Sequence, residues 1–173
     1  MPSNCQCQMP YCYQLICFAF TCHGTKGNNP STDFRGMGLL GLAELAYFCS
    51  QKTSLARAVL LDSNHPRRYY PFAATGINIS AFVMELLLEN RLHSLLFKCL
   101  EGDSLLGATY AFDIGPASSP QLVDRGCDAV HGLYIHVFET FFGLWVARNP
   151  PNIMSFPAIF GEVKESIKKQ FSC

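Results

Sequence analysis

An arginine set among glycines and turn formers is the densest short grouping of chemistry-bearing residues in this chain. The run reads Gly27, Asn28, Asn29, Pro30, Ser31, Thr32, Asp33, Phe34, Arg35, Gly36, Met37 and Gly38. Asn28 to Ser31 form turns and Thr32 and Asp33 carry capping oxygens, so a helix is expected to begin just after them. Gly36 and Gly38 keep the ground beside Arg35 open, while Pro30 fixes the approach of the chain. A guanidinium presented in this way can reach outward. Supplied in trans during GTP hydrolysis, such a planar, permanently charged group stabilises the transferring phosphoryl oxygens and is worth roughly 10³–10⁵ in rate. Spacing alone favours a plainer role, with Arg35 paired to Asp33 or to a neighbouring carbonyl.

The other groupings are weaker. Cys5, Cys7, Cys12, Cys17 and Cys22 with His23 could gather zinc, but after the first pair they repeat every five residues, without the tight knuckle that structural zinc sites use. Incidental thiols in an irregular apolar leader are the expectation. Neither a nucleophile on a strained glycine-flanked turn nor a phosphate-gripping glycine loop ending in Lys and Ser or Thr is present. His131 and His136 fall within the strongest helical pattern, where a solvated or hydrogen-bonded helix residue is the expected role rather than a base. Formal net charge is zero with scattered basic residues, which excludes the electrostatic footprint of a nucleic-acid or anionic-bilayer binder. The aromatic residues, too, sit among Leu and Ile instead of beside Lys and Arg, unlike base-stacking platforms.

These residues need a scaffold, and the chain is long enough for one. Its 173 residues, 49% apolar and 15% charged, fit a single domain with a full core. A helix is expected over Gly36 to Ser50, where Gly38 and Gly41 would admit another backbone closely, and a shorter one over Lys52 to Leu61. Pro66 and Pro71 enforce an extended connection. Two or three helices follow between Phe72 and Leu100, with stripes at Phe82, Leu86 and Leu87 and at Leu92, Leu95 and Leu96. Gly102 to Asp124 reads as a long exposed loop. From about Asp128 to Ala147, Val130, Leu133, Tyr134, Val137, Phe138, Phe141, Phe142 and Trp145 trace one helical face, stopped by Asn149, Pro150 and Pro151. The last helix gathers Phe156, Ile159, Phe160, Val163, Ile167 and Phe171.

Thr32 to Gly36, followed by Met37 to Leu42 and by Tyr47 and Phe48, resembles the signature of the ELMO domain. Tyr70, Pro71, Phe72, Ala73, Gly76, Ile77, Asn78, Ile79 and Ser80 look like that family's second block, in the right order. The resemblance implies an all-α fold, an orthogonal array of about six to eight helices over residues 27–173. In the branch that keeps the signature arginine, it implies a GTPase-activating protein for Arf and Arl-like GTPases. Arg35 would be catalytic, with Pro30, Thr32, Asp33, Phe34, Gly36 and Gly38 in support. No cofactor belongs to the chain itself, since GTP and magnesium would sit on the partner GTPase. Larger ELMO scaffolds that work with Dock exchange factors lack the arginine. The alternatives are a non-catalytic helical interaction module and an inactive truncated isoform.

Upstream the pattern departs. Where the family has a tryptophan, three residues and then Gly, Phe, Gln, Gly, this chain has Phe20 and then Gly24, Thr25, Lys26 and Gly27. Residues 1–26 are therefore expected to be an atypical, poorly packed, cysteine-rich leader, as from an altered or truncated N-terminus. The odd count of nine cysteines and the lack of a signal peptide point to reduced thiols in the cytoplasm. The Asn78–Ser80 acceptor sequon is read as coincidence. No apolar run approaches the roughly 20 residues that span a bilayer, so any membrane association would come peripherally, through the partner.

Overall fold

A computed structural model describes residues 37–93, 95–96 and 121–171, with the backbone alone over 121–125. Five bounded α-helices and one 3-10 turn occur among these residues, His93, Leu95 and Leu96 are helical as well, and none of the described residues is in a strand. The helices are α1 Gly38–Gln51, α2 Thr53–Ser63, α3 Phe72–Leu88, α4 Gln121–Arg148 and α5 Phe156–Gln170. The fold is all-α, as the sequence pattern and the resemblance both imply.

The breaks between helices have local causes. Lys52, with φ −127° and ψ 51°, leaves helical geometry between α1 and α2. Helix α3 ends on Asn90 at φ 56°, where the Asn90 N–H donates to Leu87 O at 3.1 Å and the Arg91 N–H to Leu86 O at 3.0 Å. That is the paired closure of a Schellman end, with asparagine tolerating the left-handed position. Asn149, at φ 43°, ends α4 in a similar conformation just before Pro150. Beyond it, Asn152 Oδ1 accepts from the Met154 N–H at 3.0 Å and starts the 3-10 turn that leads into α5.

Helix α4 is the centre of the molecule. It meets α1, α3 and α5, while α1 also packs on α2 and α3. Its stripe is aromatic: Phe138 stacks on Phe48 of α1 at 4.8 Å and lies 5.5 Å from Phe72 of α3, and Phe141 lies 6.2 Å from Phe160 of α5. Leu133, Tyr134, Val137, Phe138, Phe141 and Trp145 are all buried, and each such apolar side chain contributes about 1.5–3 kcal/mol through burial. Along α5, Ile159, Phe160, Val163 and Ile167 are buried as the pattern predicts.

Residues 64–71 are pinned to the C-terminal end of α4. The Trp145 indole N–H donates to Arg68 O at 2.8 Å, and the Arg68 guanidinium pairs with Asp62 and also donates to Asn149 Oδ1 at 3.3 Å. Tyr70 is buried with its hydroxyl on Val59 O, and its ring meets Phe141 and Trp145 edge-on. Burial pushes the Tyr70 phenol far above its ordinary range.

Two expectations need correction. Helix α4 begins at Gln121 rather than near Asp128, so the supposed loop from Gly102 to Asp124 ends in helix. The apolar stripe starts only at Val130, and periodicity is blind to a helical turn that has not yet reached the core. Gly38 does not admit a neighbouring backbone: nothing lies within 4 Å of where its Cβ would be, and the residue is glycine because φ is +52°. The acceptor sequon falls inside α3, with Asn78 exposed and Ser80 buried and donating to Gly76 O at 3.2 Å.

Candidate functional site

Of the residues that the sequence assigns to the site, Gly38 alone is described. Arg35, Pro30, Thr32, Asp33, Phe34 and Gly36 lie outside the described residues, as do residues 1–26. The structure therefore shows the platform that immediately follows the arginine signature. Met37 occupies the N-cap position without a side-chain cap, the Leu40 N–H donates to Met37 O at 3.2 Å, and no acidic residue lies in the first turn. Leu39 is 81% exposed and Leu40 is also on the surface. The helix thus opens on two solvent-facing apolar side chains, four and five residues after Arg35.

One turn further, α1 sinks against its neighbours. The Cβ position of Gly41 is 3.4 Å from Ile77 Cγ1 on α3, an ordinary contact that a larger side chain would not permit. At Gly76 the approach is closer, since a Cβ there would fall 2.6 Å from Leu45 Cδ2 and 2.7 Å from Tyr134 Oη. Helices α1, α3 and α4 converge on this one glycine. The two blocks that carry the family resemblance are thereby in direct contact, Gly41 of the first against Ile77 of the second, with Leu45 of the same helix against Gly76.

The same crossing encloses polar groups. Glu44 is 3% exposed, and its Oε2 lies 2.9 Å from Nδ1 of His131 on α4. The imidazole stacks on Tyr47, with ring centroids 4.3 Å apart. The hydrogen bond to Glu44 raises the His131 pKa above its ordinary value, against the lowering that burial brings. Burial, then the charges of Asp128 and Glu44, push the Tyr47 phenol up. Among the described residues, neither Thr75 Oγ1 nor Tyr134 Oη has a hydrogen-bond partner, although both are buried. His131 is thus a hydrogen-bonded helix residue, as expected. Glu44 was not singled out by sequence, although a carboxylate on the helical face of Gly41, Leu45 and Phe48 is the signal that would have found it.

No group of three or more metal-ligating side chains occurs among the described residues, and no described helix is long and apolar enough to cross a membrane. Cys49 is buried, and Cys127 is exposed with a free thiol; the remaining cysteines lie outside the described residues.

An all-helical domain carrying these two blocks is what the resemblance implies, and the comparisons agree on the family. The ELMO/CED-12 family profile matches residues 16–160. ELMO domain-containing protein 2 of Homo sapiens is 31% identical over 145 residues, covering 84% of this chain and 42% of that protein. ELMO domain-containing protein B of Dictyostelium discoideum is 34% identical over 146 residues, covering 84% and 43%. ELMO domain-containing protein 1 of Homo sapiens is 28% identical over 172 residues, covering 85% and 45%. No solved structure matches significantly. The chain belongs to the ELMO/CED-12 family, and it spans less than half the length of these curated relatives.

Proposed function

We propose that the chain is a GTPase-activating protein for an Arf or Arl-family small GTPase, with Arg35 entering the partner's nucleotide site. The observation that carries this reading is the signature Thr32, Asp33, Phe34, Arg35, Gly36 in a member of the ELMO/CED-12 family, placed directly before a helix whose first apolar side chains face solvent. In that role the guanidinium stabilises charge on the transferring phosphoryl oxygens, while GTP and magnesium are supplied by the GTPase. Leu39 and Leu40 would lie against the partner, where burial of apolar surface adds affinity. Any membrane association would then be peripheral and borne by the partner, in a cytoplasmic setting.

The test is single-turnover GTP hydrolysis by a panel of Arf and Arl GTPases, with and without the purified chain. Acceleration is expected for at least one, and Arg35→Lys should remove most of it because lysine keeps the charge but not the planar fork. Full stimulation by the lysine variant would make Arg35 a structural residue. The exposed Leu39 and Leu40 equally suit a non-catalytic binding module, which predicts GTPase binding without acceleration and no effect of Arg35→Lys on that binding.

A further inference from the structure

A single carboxylate is enclosed where α1 crosses α4. Glu44 shares the buried face of α1 with Gly41, Leu45 and Phe48, and its Oε2 lies 2.9 Å from His131 Nδ1. Among the described residues no lysine or arginine pairs with Glu44, so His131 is the basic side chain beside it, cationic when protonated. A leucine there would satisfy the core better, because an ion pair withdrawn from water recovers its desolvation only with good geometry. What such a pair supplies is orientation. Tyr47, one turn along α1, clamps the imidazole from the side with planes 22° apart.

Among the described residues, little else orients the start of α1. Met37 provides no side-chain cap, Gly38 sits in the left-handed region, and Leu39 and Leu40 face solvent. The first firm contacts are Gly41 against Ile77 and, one turn on, Glu44 against His131. We infer that Glu44 and His131 are a positioning pair, which fixes the start of α1, the helix that directly follows the Arg35 signature in sequence, and holds it more firmly when the imidazole carries a proton. The inference rests on the reading of Arg35 given above. Neutral His131 still donates from Nδ1, but only the imidazolium makes the charge-assisted bond, which is roughly twice as strong.

The ionisable groups acting on the imidazole are Glu44 from α1 and Asp128 from its own helix, both of which favour the proton, while burial opposes it. The folded-state pKa is therefore raised above the unfolded value. The added hold on α1 is complete below the unfolded value, about 6.5, and is lost as pH rises through the raised folded value.

The experiment uses the full 173-residue chain as wild type, Glu44→Gln and His131→Gln. Glu44→Gln preserves a hydrogen bond and removes the charge, so it is the variant expected to fold. Amide exchange of Leu42 to Leu45, which close the first turns of α1, is followed from about pH 6 to about pH 9 after correction for intrinsic rates. Amides of α5 serve as the internal reference. Protection in the wild type should fall by roughly three- to tenfold, the factor that corresponds to a net hydrogen bond, while Glu44→Gln stays level. Acceleration of GTP hydrolysis, as the ratio with and without the chain at each pH, should fall over the same range in the wild type and not in Glu44→Gln. Constant wild-type protection, or an identical pH profile in Glu44→Gln, overturns the inference even where Arg35→Lys abolishes acceleration. No acceleration at any pH, with a pH-dependent α1 start, instead overturns the Arg35 reading and leaves the hold on α1 supported. Should both variants fail to fold, the wild-type exchange profile and an NMR titration of His131 decide alone, and a flat exchange profile through that titration refutes it.

Discussion

Replacing Gly76 by alanine puts a methyl group where three helices already touch. Its Cβ would fall 2.6 Å from Leu45 Cδ2, 2.9 Å from Leu45 Cγ and 2.7 Å from Tyr134 Oη. Neither neighbour has room to yield, because Leu45 is 1% exposed and Tyr134 is fully buried. Intrinsic helix propensity favours alanine by about 1 kcal/mol. Overpacking a tight core costs about 1–3 kcal/mol, and the rigid surroundings here put the cost at the upper end. The expected net loss is about 1–2 kcal/mol, and for a domain of this length each kcal/mol lowers Tm by about 2–4 °C. Urea unfolding followed by circular dichroism, with thermal melts beside it, measures both. Gly143→Ala is the matched control: nothing lies within 4 Å of its Cβ position and it is exposed on α4, so propensity alone should stabilise by up to about 1 kcal/mol. If Gly76→Ala stabilises as Gly143→Ala does, then α1, α3 and α4 do not converge as described.

Trp145→Phe should lower stability by about 1–3 kcal/mol, since it strands the Arg68 carbonyl that the indole N–H now satisfies at 2.8 Å; an unchanged denaturation midpoint would refute this. The acid limb should respond to Glu85, whose carboxylate accepts from Lys168 at 2.7 Å and Lys164 at 2.9 Å and is held below its ordinary pKa by them. Its contribution is present above the unfolded value and is lost as pH falls through the lowered one, so Glu85→Gln should show a shallower fall in Tm between about pH 5 and about pH 3 than the wild type.

Helices were most legible where they bury a long, regular stripe. Leu133 to Trp145 and Ile159 to Ile167 repeat at helical spacing over several turns, and the stripe residues there are buried except Phe142, which is half-buried. Legibility failed where position depends on something outside the local pattern. Gln121 to Asp124 precede the stripe and fall in the stretch that reads as a loop, and Gly38 reads as a packing glycine when its backbone angle is the reason for it. The stretch from Phe72 to Leu100 reads as two or three helices; its described part is a 17-residue helix ended by Asn90, then a turn, then helical residues again at His93, Leu95 and Leu96, in keeping with that reading. At the site, the signature blocks were readable from local residue order, and their contact through Gly41, Leu45 and Gly76 is consistent with that order. Glu44 was not readable, because its meaning depends on a histidine 87 positions away. The Arg35 turn and the expectations for residues 1–26 lie outside the described residues.

That separation of 87 residues also orders events in time. The arginine signature leaves the ribosome early, whereas the helix that anchors the next segment comes much later, at a synthesis rate of about 5–20 residues per second. For roughly 4–17 s the future head of α1 has neither His131 nor the aromatic face of α4 to lie against. The Arg68 carbonyl waits nearly as long for its indole, 77 residues downstream. Arg35 is therefore synthesised before the mounting of the helix that follows it exists, and on the function proposed above a nascent chain should carry the residue without the ability to use it until α4 has emerged and docked.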